Sequence, residues 1–220
     1  MAAVAVILFG VREPRDRPRP GGRPPFPLRG TELAKLPAAY WRTLTIVAVF
    51  TLARFSAAFL LLRAQDKGLP TAWMPLVFVV MNLVYAGAAY PFGLLADRMD
   101  RGRLLAFGVA LLFVADLLLA ISPSWPVVVA GAGLWGLHMA ATQGLLSATV
   151  ADAAPEDLRG CAFGVFNLVQ GVMLLLASIL AGALWVTVGP SATFLAGAAF
   201  ALLSFLPLLT PKARTRSWLR

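Results

Sequence analysis

From residue 43 onward the chain is a succession of long apolar runs with short polar breaks. No other feature constrains it as tightly. The runs are 43–62, 71–95, 104–122, 127–150, 161–186 and 192–209, and the breaks hold residues such as Asp66, Lys67, Pro70, Asp97, Arg98, Asp152, Arg159 and Pro190. Each run is near or above the ~20 residues that carry a helix across a ~30 Å hydrocarbon layer. Membrane strands would instead alternate apolar and polar positions over about 10 residues, and these runs do not alternate. Composition removes the water-soluble alternative. Only 13% of residues are charged and 60% are apolar, whereas soluble domains carry roughly 25% charged residues. The predicted fold is therefore an all-α integral membrane domain of six transmembrane helices.

The flanking segments are of another kind. Residues 12–42 interleave Pro14, Pro18, Pro20, Pro24, Pro25 and Pro27 with Arg15, Arg17, Arg19, Arg23 and Arg29. Proline at that density leaves no helix or strand, so a basic, solvated cytoplasmic linker is expected, with room for a short surface helix around 31–40. Residues 1–11 are apolar but cover only about half of the hydrocarbon layer, and their basic flank follows them rather than precedes them. They are expected to be the remnant of a truncated transmembrane helix. Residues 43–210 form the six-helix domain and residues 211–220 a basic cytoplasmic tail.

Charge placement gives orientation. Sixteen of the 19 Lys and Arg residues fall on one side of a six-span arrangement, Arg63 and Lys67 on the other, and Arg54 within a span. The basic side is retained in the cytoplasm, so both termini are expected there, in a cell membrane. Trp41 and Trp218 fall at the inner boundary and Trp73, Trp125 and Trp185 at the outer. The net charge of +9 is thus an orientation signal, and nucleic acid is not an expected partner. One Cys and one His exclude an internal disulfide framework and a zinc site built from several such ligands. No Gly-x-Ser-x-Gly, phosphatidyltransferase pattern or phosphate loop occurs, so neither enzymatic activity nor a cofactor is expected.

The break after the second run reads Gly93-Leu94-Leu95-Ala96-Asp97-Arg98-Met99-Asp100-Arg101-Gly102-Arg103. A glycine there lets helices approach, Asp97 can accept hydrogen bonds, and Arg98, Arg101 and Arg103 hold the turn at anionic headgroups. This closely resembles the loop signature of the major facilitator superfamily (MFS), between the second and third helices of a six-helix half. Residues 53–64 are similar to the seventh helix of bacterial drug-efflux-like members, and 152–164 to their loop into the eleventh. Residues 12–42 resemble their central cytoplasmic loop. The resemblance implies the C-terminal half of a facilitator, two inverted three-helix repeats, moving a small molecule by alternating access. One half supplies one cavity wall. The implied partners are the lipid bilayer, a small-molecule substrate, and either a missing N-terminal half or a second copy of the chain. The competing expectation is a non-transporting membrane scaffold or regulatory subunit.

Polar residues inside the runs are the candidate substrate or coupling positions: Arg54, Asn82, Asp116, His138, Gln143, Asn167 and Gln170. Counted at about 1.5 Å per residue, Arg54, Asn82, Asp116 and His138 lie roughly 16–20 Å from the inner end of their spans. A charge there costs roughly 2.5–3.5 kcal/mol on insertion scales and needs a partner or a wet cavity. Arg54 and Asp116 either neutralise one another, or Asp116 lies away from the cavity, as the resemblance implies for the ninth helix. His138 is either a titrating group or a hydrogen-bonded packing residue. Two stripes of small residues complete the pattern: Ala132, Gly136, Ala140, Gly144 and Ala148 in the fourth run, and Gly164, Gly171 and Ser178 in the fifth. Both are expected to pack helices closely.

Overall fold

The computed structural model describes residues 33–209, so the expected remnant helix, most of the basic linker and the tail lie outside the described residues. Among the described residues seven α-helices follow one another: α1 Ala38–Leu52, α2 Ala58–Asp66, α3 Pro75–Arg98, α4 Arg101–Ile121, α5 Trp125–Ala153, α6 Arg159–Thr187 and α7 Pro190–Leu209. No strand occurs among the described residues. Together with its leading turn, α3 makes a 28-residue stretch (Thr71–Arg98); α4 has 21 residues, and Glu156–Thr187, with α6, has 32. All three are long and apolar enough to cross a membrane.

Local chemistry places the ends. Pro75 opens α3, Pro126 lies in the first turn of α5, and Pro190 opens α7, all sites where a missing N–H costs nothing. The Asp100 carboxylate accepts from the Arg103 N–H at 2.9 Å and caps α4. Gly68, at φ 88°, ends α2 with the N–H of Leu69 donating to the Ala64 carbonyl and that of Gly68 to the Gln65 carbonyl. α1 begins five residues before the expected boundary, directly after Pro37.

The first apolar run is not one helix. Residues 53–57 leave helical geometry, separating α1 from α2, although the stretch contains neither proline nor glycine. The cause is tertiary. Phe55, 4% exposed, turns into an aromatic cluster with ring centroids 5.2 Å from Trp135 and 5.5 Å from both Phe59 and Phe194. Gly197 makes the room, since a Cβ there would lie 2.8 Å from Cε1 of Phe55. Ser56 compensates the broken ladder by donating its N–H to Oγ of Ser178 on α6 at 3.2 Å. Irregular backbone at membrane depth is tolerated where protein or a wet cavity surrounds it.

The largest interfaces join α3 to α5, α4 to α7 and α4 to α5, followed by α1 to α6, α6 to α7 and α1 to α7. Exchanging α1–α2, α3 and α4 for α5, α6 and α7 maps each of these interfaces onto another of them except α6 to α7, whose counterpart, α3 to α4, is slight. Small residues set the closest approaches. A Cβ on Gly136 would overlap the Met81 carbonyl oxygen, and one on Gly131 would lie 2.8 Å from Leu119. The expected ridge on α5 therefore divides: Ala132 and Gly136 pack against neighbours, whereas Ala140, Gly144 and Ala148 line a cavity. On α6 the stripe is not a packing seam, because a Cβ on Gly164 or Gly171 would meet open space.

Candidate functional site

The break in the first span opens onto a cavity of about 730 Å³. Arg54, Phe55, Ser56 and Ala57 form one side of it, Met81, Trp135 and Met139 of α3 and α5 another, and α6 a third. The α6 contribution is a single helical face: Asn167, Gln170, Gly171, Leu174, Leu175 and Ser178 follow one another at steps of three and one. Three expected site residues, Arg54, Asn167 and Gln170, thus meet around one space. Arg54 is the sole charged residue among its lining. Its guanidinium lies 5.9 Å from the Phe50 ring centroid, a cation–π arrangement, and it forms no ion pair among the described residues.

The other four candidates lie elsewhere. Gln143 borders a second cavity of about 420 Å³ and accepts from the Tyr85 hydroxyl at 3.0 Å. Asn82 is exposed on α3 and donates to the Phe78 carbonyl at 2.8 Å, one turn back on its own helix. Asp116 does not pair with Arg54. It is completely buried in α4 against α7, where a Cβ on Gly197 would lie 2.6 Å from its Oδ2, and neither carboxyl oxygen has a partner. His138 is completely buried in α5, with Nδ1 2.7 Å from the Gly108 carbonyl of α4 and its ring 5.5 Å from that of Phe50. A carbonyl only accepts, so Nδ1 carries a proton and Nε2 is left facing no partner.

Sequence reasoning missed Arg63, which it counted as an outer-face charge. The residue is 3% exposed, and its side chain ties three helices together. Nε donates to the Leu119 carbonyl at 3.0 Å and to Ser122 Oγ at 3.1 Å, while Nη2 donates to the Ala120 carbonyl at 2.7 Å and Ser191 Oγ at 3.1 Å. Nη1 donates to Asp66 at 3.0 Å. Arg63 thus caps the C-terminal carbonyls of α4 from α2 and holds the start of α7. The one available signal was its place at the very end of an apolar run, three residues before a carboxylate.

The loop motif also differs from its expected geometry. Gly93 does not mediate a close helix approach, because a Cβ there would meet nothing within 4 Å. Gly93, Asp97 and Arg101 instead border the second cavity, opposite Gly144 and Ala148 of α5. Arg101 forms an ion pair with Asp152 at the end of α5, joining α4 to α5, while Arg98 and Arg103 remain exposed.

The sequence from residue 66 to residue 220 matches the family model described as Major Facilitator Superfamily. The chain belongs to this superfamily. Two relatives of the MFS chain are informative. It is 33% identical over 183 residues to an uncharacterized MFS-type transporter from Methanocaldococcus jannaschii, a match covering 80% of this chain and 46% of the relative. It is 35% identical over 142 residues to the transcription regulatory protein OpdE of Pseudomonas aeruginosa, covering 62% of this chain and 35% of the relative. The chain therefore spans less than half the length of these curated relatives. Family membership and the apolar helices establish a multi-pass, all-α protein of the lipid bilayer from a family of transporters.

Proposed function

We propose that this chain is a six-helix, C-terminal-type half of a facilitator that moves a small molecule across the cell membrane by alternating access. The observation that carries the reading is the cavity at the break between α1 and α2, where Arg54, Asn167 and Gln170 converge. Discontinuous helices in secondary transporters build substrate sites in this manner, because the freed backbone and helix ends offer polar groups that an intact helix hides. In this reading both termini face the cytoplasm, residues 12–42 are a cytoplasmic linker, and a second six-helix half closes the cavity from the opposite side. That half is supplied either by additional polypeptide of the kind present in the longer relatives or by a second copy. Drug-like cargo is the reading that the resemblance of residues 53–64 to drug-efflux-like members supports.

Purified chain reconstituted in liposomes should accumulate or release members of a labelled small-molecule panel, and Arg54→Ala should abolish the flux. Flux no greater than in protein-free vesicles for every compound, both with the chain alone and with the chain joined to the N-terminal half of a longer relative, would overturn the reading. A second reading, a membrane-embedded regulatory protein, draws on the regulatory role that the name of the OpdE relative states. It predicts ligand binding at the cavity with no flux in the same vesicles.

A further inference from the structure

We infer that the cavity takes an organic monoanion: a carboxylate borne on an aromatic or branched apolar body. This rests on the proposed role of the cavity as a transport site and names what it would carry. The lining contains one positive charge and no negative one. Arg54 has no carboxylate partner among the described residues, and the buried carboxyl that could have supplied one, Asp116, faces Gly197 of α7 and lines no part of the cavity. An unneutralised guanidinium bordering a low-dielectric space repels cations and favours an anion that it can grip in a bidentate fork.

The neutral groups around it agree. Asn167 and Gln170, one turn apart on α6, and the hydroxyls of Ser56 and Ser178 can all donate hydrogen bonds. The Ala58 N–H at the start of α2 donates to Ser56 Oγ at 3.3 Å, and the positive end of the α2 dipole adds to the same field. Beyond the polar cluster, Phe55, Trp135, Met81, Met139 and Leu174 present apolar surface. The two halves of the lining thus call for two halves of a ligand, a charged head and an apolar body. A second negative charge would find no second cation.

The test uses one body with three charges: 3-phenylpropanoate, 3-phenylpropanamide and 3-phenylpropylammonium, each titrated against purified full chain in nanodiscs. Binding is followed by tryptophan fluorescence, and loss of the signal in Trp135→Phe assigns it to the cavity. The carboxylate should bind about tenfold or more tightly than the amide, and the ammonium more weakly than either. Arg54→Gln should reduce the carboxylate to the level of the amide, and Arg54→Lys should restore part of the preference. The inference is overturned by an amide or ammonium binding as tightly as the acid, by no binding of any probe at millimolar concentration, or by a preference that survives Arg54→Gln. The wild-type charge series decides the matter even where a variant misfolds. Carboxylate binding without carboxylate flux would keep the inference and remove the transport reading; flux of the ammonium independent of Arg54 would do the reverse.

Discussion

Gly136 and Gly144 occupy equivalent places in one small-residue ridge, eight residues apart, yet their surroundings have nothing in common. At Gly136 the backbones of α5 and α3 touch, and a methyl group would overlap the Met81 carbonyl. At Gly144 a methyl group would meet nothing within 4 Å, because the helix there borders the second cavity. Gly136→Ala should therefore destabilise the fold by about 1–3 kcal/mol, the usual cost of overpacking. Gly144→Ala should be neutral or stabilising by up to about 1 kcal/mol, since alanine favours helix. Thermal unfolding in detergent, compared side by side, checks both; equal shifts would contradict the packing. The spacing of small residues was legible from sequence, but which of them meet a neighbour depends on how two helices cross. Asp116 teaches the same lesson. Its depth was legible and its neighbour was not. As a residue of the α4–α7 interface, Asp116→Asn should leave ligand affinity at the cavity unchanged, measured by the same fluorescence titration. A loss as large as that of Arg54→Gln would put Asp116 in the binding machinery.

Among the helices, the boundaries of five apolar runs were readable to within a few residues, because proline, aspartate and charge clusters mark them. The break in the first run was not readable. Its sequence, Leu52-Ala53-Arg54-Phe55-Ser56-Ala57, carries no helix-breaking residue. Phe55 leaves the helix to enter a cluster assembled from α2, α5 and α7, elements up to about 140 residues distant along the chain. The cavity face of α6 was partly legible, through Asn167, Gln170, Gly171 and Ser178, but the aromatic and methionine residues opposite it resembled ordinary core. The short helix α2 then needs an anchor of its own, and Arg63 supplies it by bonding the last carbonyls of α4 and the hydroxyl of Ser191. Arg63→Ala should cost about 2–3 kcal/mol, the range for hydrogen bonds to a charged donor. Arg63→Lys should recover little of it, because a single ammonium cannot span acceptors that the planar guanidinium reaches from three nitrogens. Full recovery by lysine in a thermal melt would show that charge alone, and not the fork, holds α2.

For the whole molecule, the distribution of burial separates helices that face one another from helices that face outward. α4, the most apolar of the long spans, is half buried along its apolar window, whereas the corresponding windows of α3 and of Glu156–Thr187 are only 11% buried. Residues such as Leu83, Tyr90, Leu175 and Ile179 are more than half exposed. In a chain with so few charges these faces belong against lipid tails or another set of helices, not water. That requirement fixes the chain in a bilayer without fixing which end faces which side, and the basic residues supply the remaining information. Arg98, Arg101 and Arg103 join α3 to α4, whereas Lys67 follows α2, one crossing away. If retention of basic loops governs insertion, the first group lies in the cytoplasm and Lys67 outside. A Cys161→Ala background carrying Lys67→Cys should react with a membrane-impermeant maleimide in intact cells, and one carrying Arg98→Cys should react only after permeabilisation. Reaction of both from the outside would mean that the intervening helix α3 does not cross. The reverse pattern would mean that the domain is inverted, and the linker and tail with it.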